Sequence, residues 1–290
     1  MRCLNYLYRI FLIVIFSINW TLKAQDFEVA PVSLEFSAEP GDNQTKTLTV
    51  KNHSNSKASF IVSLGDFLPS SIGEKNAMPP NSTKRSCANW ININPSFFEI
   101  NPGDEIQVQV SMLVPNVEYN SAWCMLYIQT TKEQTSWNAD KNLGAGMSVS
   151  GRIVVYIYQS PKSNINNSLK IGNLTEITKI GETTRKFNAT IENLGDRITK
   201  CKVYLIASNM KTTEEKQFEA IEIETFPKMS RTIELTLPNV LEPGAYSLAA
   251  IVDYGSKYAL EGTQILIDIK GLNTNTSIDT TQTKVDQSIK

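Results

Sequence analysis

Between Glu105 and Pro115 the chain alternates with a period of two. Ile106, Val108, Val110 and Met112 are apolar, and Gln107, Gln109 and Ser111 between them are polar. Successive side chains of a β-strand point to opposite faces, so this run reads as a strand with one buried and one wet face. Asn101-Pro102-Gly103-Asp104 ahead of it is a tight turn, with Pro presetting φ and Gly free to take φ > 0. Pro115 ends the run because it has no N–H for a ladder. Upstream, Trp90, Ile91 and Ile93 open another β run, Asn94-Pro95 breaks it, and Phe97, Phe98 and Ile100 resume it. A strand apolar on one face must bury that face against a second layer.

The rest of the chain supplies such a layer. Residues 27–36 (FEVAPVSLEF) form a first strand that Pro31 interrupts, which predicts an edge strand or a switch between sheets there. Leu48 and Val50, then Phe60, Val62 and Leu64, mark two more strands around the turn Asn52-His53-Ser54-Asn55. Residues 67–86 read as a long polar, mobile connection, 122–130 as a strand, and 147–158 (MSVSGRIVVYIY) as the strand that closes the domain. A second series follows a polar linker at 161–168. It includes Phe187, Ala189 and Ile191 up to the turn at Asn193, then Val203, Leu205 and Ala207, and Tyr246 to Val252. Tyr246 fits either a tyrosine corner or a plain core tyrosine. About seven short strands in each series, with no helical period, predict an all-β chain of two consecutive immunoglobulin-like antiparallel β-sandwich domains. The expected division is a signal peptide at 1–24, sandwiches at 25–161 and 162–270, and a disordered tail at 271–290.

Arg2 and Arg9 before the apolar run 10–18, and Leu22-Lys23-Ala24 before Gln25, give the leader its signal-peptide form. That run is short for a membrane span. Export points to the periplasm, with the cell surface or secretion as the alternative. It also changes how cysteines are read. Cys3 belongs to the leader and Cys201 reads as a small core residue. Cys87 and Cys124 read either as a disulfide closing a loop of about 37 residues, worth about 3.5–4 kcal/mol in a chain-entropy model, or as two buried thiols. A net charge of -1 gives no electrostatic case for nucleic acid.

No motif for catalysis, nucleotide binding or metal binding is present, so the reading assigns no catalytic residue, metal, cofactor or small-molecule substrate. His53 is the sole histidine and reads as a solvated turn residue. The closing strand of the first domain is more informative. Met147, Val149, Gly151, Ile153, Val155 and Ile157 share one face. The other begins with Ser148, Ser150 and Arg152 and turns apolar at Val154, Tyr156 and Tyr158. A strand apolar on both faces is covered, either by the second domain or by a partner that adds a strand beside it. Met147, Val149, Arg152, Ile153, Val154 and Tyr156 are the candidate partner-binding residues.

The run WININPSFFEINPGD with its closing MLVP, and the strand RIVVYIYQSP, resemble the periplasmic pilus-assembly chaperones of the PapD-like superfamily over about residues 27–161. The resemblance implies a non-enzymatic protein that lends its last first-domain strand to an incomplete client. That family also holds its client's terminal carboxylate with two basic residues. The corresponding positions here fall near Phe36 and Val154, with Arg152 two residues away on the same face. The chain also looks like Ig-like periplasmic adaptors of outer-membrane, gliding or type IX secretion assemblies in Gram-negative bacteria. The expectation is therefore a chaperone or adaptor with a protein client, bound through this strand and the interdomain cleft. The alternatives are a structural or adhesive spacer, or a carbohydrate-binding accessory module using Trp123 or Trp137.

Overall fold

The structure, a computed structural model, describes residues 26–131, 151–255 and 260–270. The leader, the tail, Trp137, Met147 and Val149 lie outside them. The described residues divide into two compact units. One comprises residues 26–68 with Lys75–Ile165, and the other Pro69–Glu74 with the residues from Asn166 on. Among the described residues no helix is long and apolar enough to cross a membrane.

The first unit holds β1 (Phe27–Ala30), β2 (Ser33–Phe36), β3 (Asn43–Asn52), β4 (Ala58–Pro69), β5 (Lys75–Met78), β6 (Ile91–Asn94), β7 (Phe97–Ile100), β8 (Glu105–Leu113), β9 (Ala122–Thr131) and β10 (Arg152–Gln159). One sheet runs β1-β3-β8-β6. The other runs β2-β10-β9-β4-β5, with β7 also on β4. This is the two-sheet immunoglobulin-like arrangement. Val108, Val110 and Met112 of β8 are buried, and Gln107 and Gln109 are exposed, as the alternation requires. Pro31 does mark a switch: β1 pairs antiparallel with β3, while β2 pairs with β10 in the opposite sheet. That second pairing is parallel, so the sandwich is not purely antiparallel. Gln159 extends it. Its buried carboxamide donates to Ala38 O at 2.6 Å and accepts from Ala38 N at 3.3 Å, continuing the ladder by a side chain.

The polar segment 67–86 is ordered rather than mobile, because a buried acid organises it. Asp66 accepts from Ser82 N and Thr83 N, each at 2.9 Å, from Thr83 Oγ1 at 3.1 Å and from Ser86 Oγ at 2.6 Å. A buried carboxylate with four donors is fully compensated, and it fixes the chain that supplies them. Residues 162–165 group with the first unit. There Ser163 donates its hydroxyl and amide to Glu39 at 2.5 and 2.8 Å, which holds that carboxyl below its ordinary range.

The second unit holds β11 (Leu169–Glu176), β12 (Arg185–Asn193), β13 (Thr199–Asn209), β14 (Glu215–Gln217), β15 (Ile221–Thr225), β16 (Ser230–Leu237), β17 (Gly244–Asp253) and β18 (Leu260–Ile269). Its sheets are β11-β12-β16 and β14-β13-β17-β18, with β15 on β13. Tyr246 is buried and its hydroxyl donates to Glu242 O at 3.0 Å, the geometry of a tyrosine corner. Arg185 ties the start of β12 to β11 and to β18 of the opposite sheet: it donates to the two carboxylate oxygens of Glu176 at 2.8 and 2.6 Å and to Asp268 O at 3.1 Å. The Arg185 hydrogen bond lowers the Glu176 carboxyl below its ordinary value. A depressed carboxyl stabilises the fold above its unfolded pKa, and that contribution disappears as pH falls through the folded value. The melting midpoint of the second unit is therefore expected to drop on acidification below about pH 4. Glu176→Gln should flatten that part of the curve in a pH series followed by circular dichroism.

Candidate functional site

Strand β10 has different neighbours along its two halves. On one side β9 accompanies it throughout, from Arg152 opposite Gln129 to Gln159 opposite Ala122. On the other side β2 pairs only with Tyr156, Ile157, Tyr158 and Gln159. Residues 152–155 thus have a strand partner on one side only, among the described residues. Two hydrogen bonds fix which backbone groups face the open side. Gly151 O accepts from Thr130 N on β9, and Tyr156 N donates to Val32 O at the head of β2. In an antiparallel ladder, groups alternate sides along the strand. Residues 153 and 155 therefore spend their N–H and C=O on β9, while Arg152 and Val154 turn theirs to the open edge.

The side chains sort by the same alternation. Val155 and Ile157 are in the first core, and Ile153 packs against it. Ile153, one of the candidate partner-binding residues, is half-buried on that inner face and lines a cavity beside β10. Arg152, Val154, Tyr156 and Tyr158 lie on the outer face. Tyr127 is opposite Val154, and its ring lies over Gly65, where a Cβ would come within 2.5 Å of it. The Arg152 guanidinium sits 5.0 Å above the same ring and donates to Gln129 Oε1 at 3.1 and 2.9 Å. Further along, Tyr156 is covered from within its own unit. Phe67 packs edge-on to it at 5.6 Å, and the Lys75 ammonium stands 4.0 Å over its ring and donates to Tyr158 OH at 2.7 Å.

The open half of β10 also borders a cavity of about 810 Å³ at the edge of the sandwich. Its lining is mixed, with Phe27, Phe60 and Ile153 among the apolar residues and Lys57, Glu99 and Arg152 among the more numerous polar ones. Lys57 and Glu99 are ion-paired, and the Lys57 hydrogen bond keeps the Glu99 carboxyl below its ordinary value. Val32, 60% exposed, stands where β2 begins.

Other sequence candidates fall elsewhere. Trp123 is buried against Phe67, with its indole N–H donating to Phe67 O at 3.1 Å, so it offers no exposed platform for a sugar. His53 pairs with Glu28 at 2.9 Å on the surface. Phe36 belongs to the first core. In the structure Cys87 and Cys124 are buried and stand side by side without a bond, with Cys87 Sγ donating to Cys124 Sγ at 3.4 Å. Burial first, and the Cys87 hydrogen bond second, push the Cys124 thiol well above its ordinary value. Among the described residues no group of three or more His, Cys, Asp or Glu is placed to hold a metal ion.

No family model matches the chain, and no curated protein matches it. Among solved structures it is similar to a chain of a chaperone–tip adhesin complex of CFA/I fimbriae biogenesis, with 11% identity, 83% of this chain and 97% of that chain covered, and a TM-score of 0.47. It is also similar to the CsuC-CsuE chaperone–tip adhesion subunit pre-assembly complex of Acinetobacter baumannii Csu pili, with 10% identity, 83% and 97% covered, and a TM-score of 0.44. A third is the E. coli chaperone DraB, with 11% identity, 84% and 97% covered, and a TM-score of 0.39. At these identities the likeness is one of fold alone.

Proposed function

We propose that the protein is a non-enzymatic chaperone or adaptor that holds an exported client by adding the client's strand to the open edge of β10. One observation carries this reading. Arg152 and Val154 present backbone N–H and C=O groups to a side where β2 has not yet begun, next to a cavity of mixed polar and apolar lining. Strand addition draws its affinity from such backbone groups and its specificity from alternate side chains. The client in this reading is an extended segment of a pilin-like, outer-membrane or secretion-machinery protein. The signal-peptide form of residues 1–24 supports a periplasmic setting. The spacer reading has no comparable feature in its favour.

The test uses Val154, whose N–H faces the open edge. Proline is tolerated where an edge N–H would point away from the ladder. Val154→Pro should therefore leave the fold and the β9 pairing intact and remove one donor from the docking edge. With a photo-crosslinking amino acid at Arg152, the full-length exported protein should give one dominant adduct, mapped to a β-segment of one envelope protein. In the Val154→Pro background that adduct should fall at least tenfold, with circular dichroism unchanged. An adduct whose yield ignores Val154→Pro, or no adduct above background, would overturn strand addition here.

A further inference from the structure

We propose that Cys87 and Cys124 are an oxidation site, joined as an intramolecular disulfide during export, and that this bond locks the first sandwich behind β9. The inference stands apart from the client-binding reading.

The pairing is built by the backbone. Ser86 bridges Trp123 as a parallel pair, and Trp123 N donates to Arg85 O at 2.8 Å. Residues 85–87 thus run alongside 123–124, which brings the next residue of each segment, Cys87 and Cys124, side by side. Asp66 holds this segment from below through Ser86 Oγ, which in turn accepts from Ala88 N at 3.2 Å. The two sulfurs stand 3.4 Å apart, against about 2.05 Å for a bond. Both residues are 0% exposed. The remaining described cysteine, Cys201, belongs to the core of the second unit and has neither sulfur beside it among the described residues.

Burial also fixes when the bond can form. An oxidant cannot reach either sulfur in the folded protein, and burial disfavours the Cys124 thiolate there. The chemistry therefore belongs to the unfolded or folding chain. One cysteine thiolate displaces a sulfur of a protein dithiol oxidase's disulfide, forming a mixed disulfide. The second cysteine thiolate then attacks the chain's sulfur and expels the oxidase as its dithiol. Two electrons and the two thiol protons pass to the oxidase, and one S–S bond remains in the sandwich. Once folded, the bond is shielded from reductants by the same burial.

The test compares the full chain exported with its own leader against the same chain made without it in a reducing cytosol. Each is denatured with iodoacetamide present and no reductant, then peptide-mapped. Linked peptides containing Cys87 and Cys124, with Cys201 alkylated, are expected for the exported protein. Full alkylation of all three is expected for the cytosolic one, and little labelling before denaturation. The oxidised form should melt roughly 10 °C above the reduced form. Alkylated Cys87 and Cys124 in the exported protein, or a link from either to Cys201, would overturn the assignment. Equal melting midpoints in the two redox states would overturn the lock.

Discussion

Phe60→Ala is expected to lower the stability of the first sandwich by about 4 kcal/mol. Phe60 is 0% exposed on β4, the strand flanked by β9, β5 and β7. Its ring meets Phe27 edge-on at 5.1 Å and stacks on Phe98 at 5.5 Å. It therefore joins β1, β4 and β7 across both sheets, and alanine would remove the central member of that trio. β4 itself is hydrogen-bonded on both sides, to β9 and to β5 and β7, and has little freedom to collapse into the space, which places the cost toward the upper end for a large-to-small change. A shift of that size corresponds to a midpoint lower by about 10 °C. Phe60→Leu, which keeps most of the volume, should cost about 1–1.5 kcal/mol. Denaturant melts of the three proteins would check the series. A Phe60→Ala loss no larger than that of Phe60→Leu would mean that the aromatic trio does not hold the sheets together.

Sequence periodicity reached this core because it depends on local alternation. Phe60, Val62, Val108, Val110 and Met112 announce their face by spacing alone, and the Pro31 break announces the strand switch. What periodicity could not reach was anything decided by a distant residue. Asp66 stands just ahead of the segment 67–86, and nothing in its spacing marks it. Only the fold brings Ser82, Thr83 and Ser86 to its carboxylate. The face of Ile153 was assigned correctly as shared with Val155 and Ile157, but its being the inner face follows from the pairing with β9, which spacing does not specify. Likewise the cover over Tyr156 comes from Phe67 and Lys75, residues on strands whose neighbours the sequence could not order. The open edge is legible only from the short length of β2. Its four residues were read as part of one strand with β1.

A further pair escaped the same way, and it carries the second large effect. Asn52 and Asn193 each open a turn signal in the sequence, yet both are buried, at the ends of β3 and β12. The segments match: Thr49-Val50-Lys51-Asn52 in one unit and Thr190-Ile191-Glu192-Asn193 in the other. Asn52 donates to Ser56 O at 2.8 Å and, across to the other sheet, to Ile100 O at 3.0 Å. It also accepts from Ser54 N at 3.0 Å. Asn193 donates to Arg197 O at 2.9 Å and, across to the other sheet, to Thr225 Oγ1 at 3.2 Å. It accepts from Gly195 N at 3.0 Å. Each carboxamide thus closes its turn and staples the two sheets of its own sandwich. Alanine at Asn52 removes the acceptor of Ser54 N and the donor to Ile100 O, and alanine at Asn193 removes the donor to Arg197 O and to Thr225 while Gly195 N keeps Ser168 O, a cost of about 2–3 kcal/mol at Asn52 and less at Asn193. Asn52→Asp should be at least as damaging, since it keeps the acceptor, loses both donated bonds and adds a buried charge. Hydrogen exchange read strand by strand separates the two staples. Asn52→Ala should release protection in β3, β4 and β7 and leave β12 and β13 unchanged, and Asn193→Ala should do the reverse. Unchanged protection in the mutated unit would show that the hydrophobic layers alone hold the sheets in register, and that the repeated asparagine only shapes a turn.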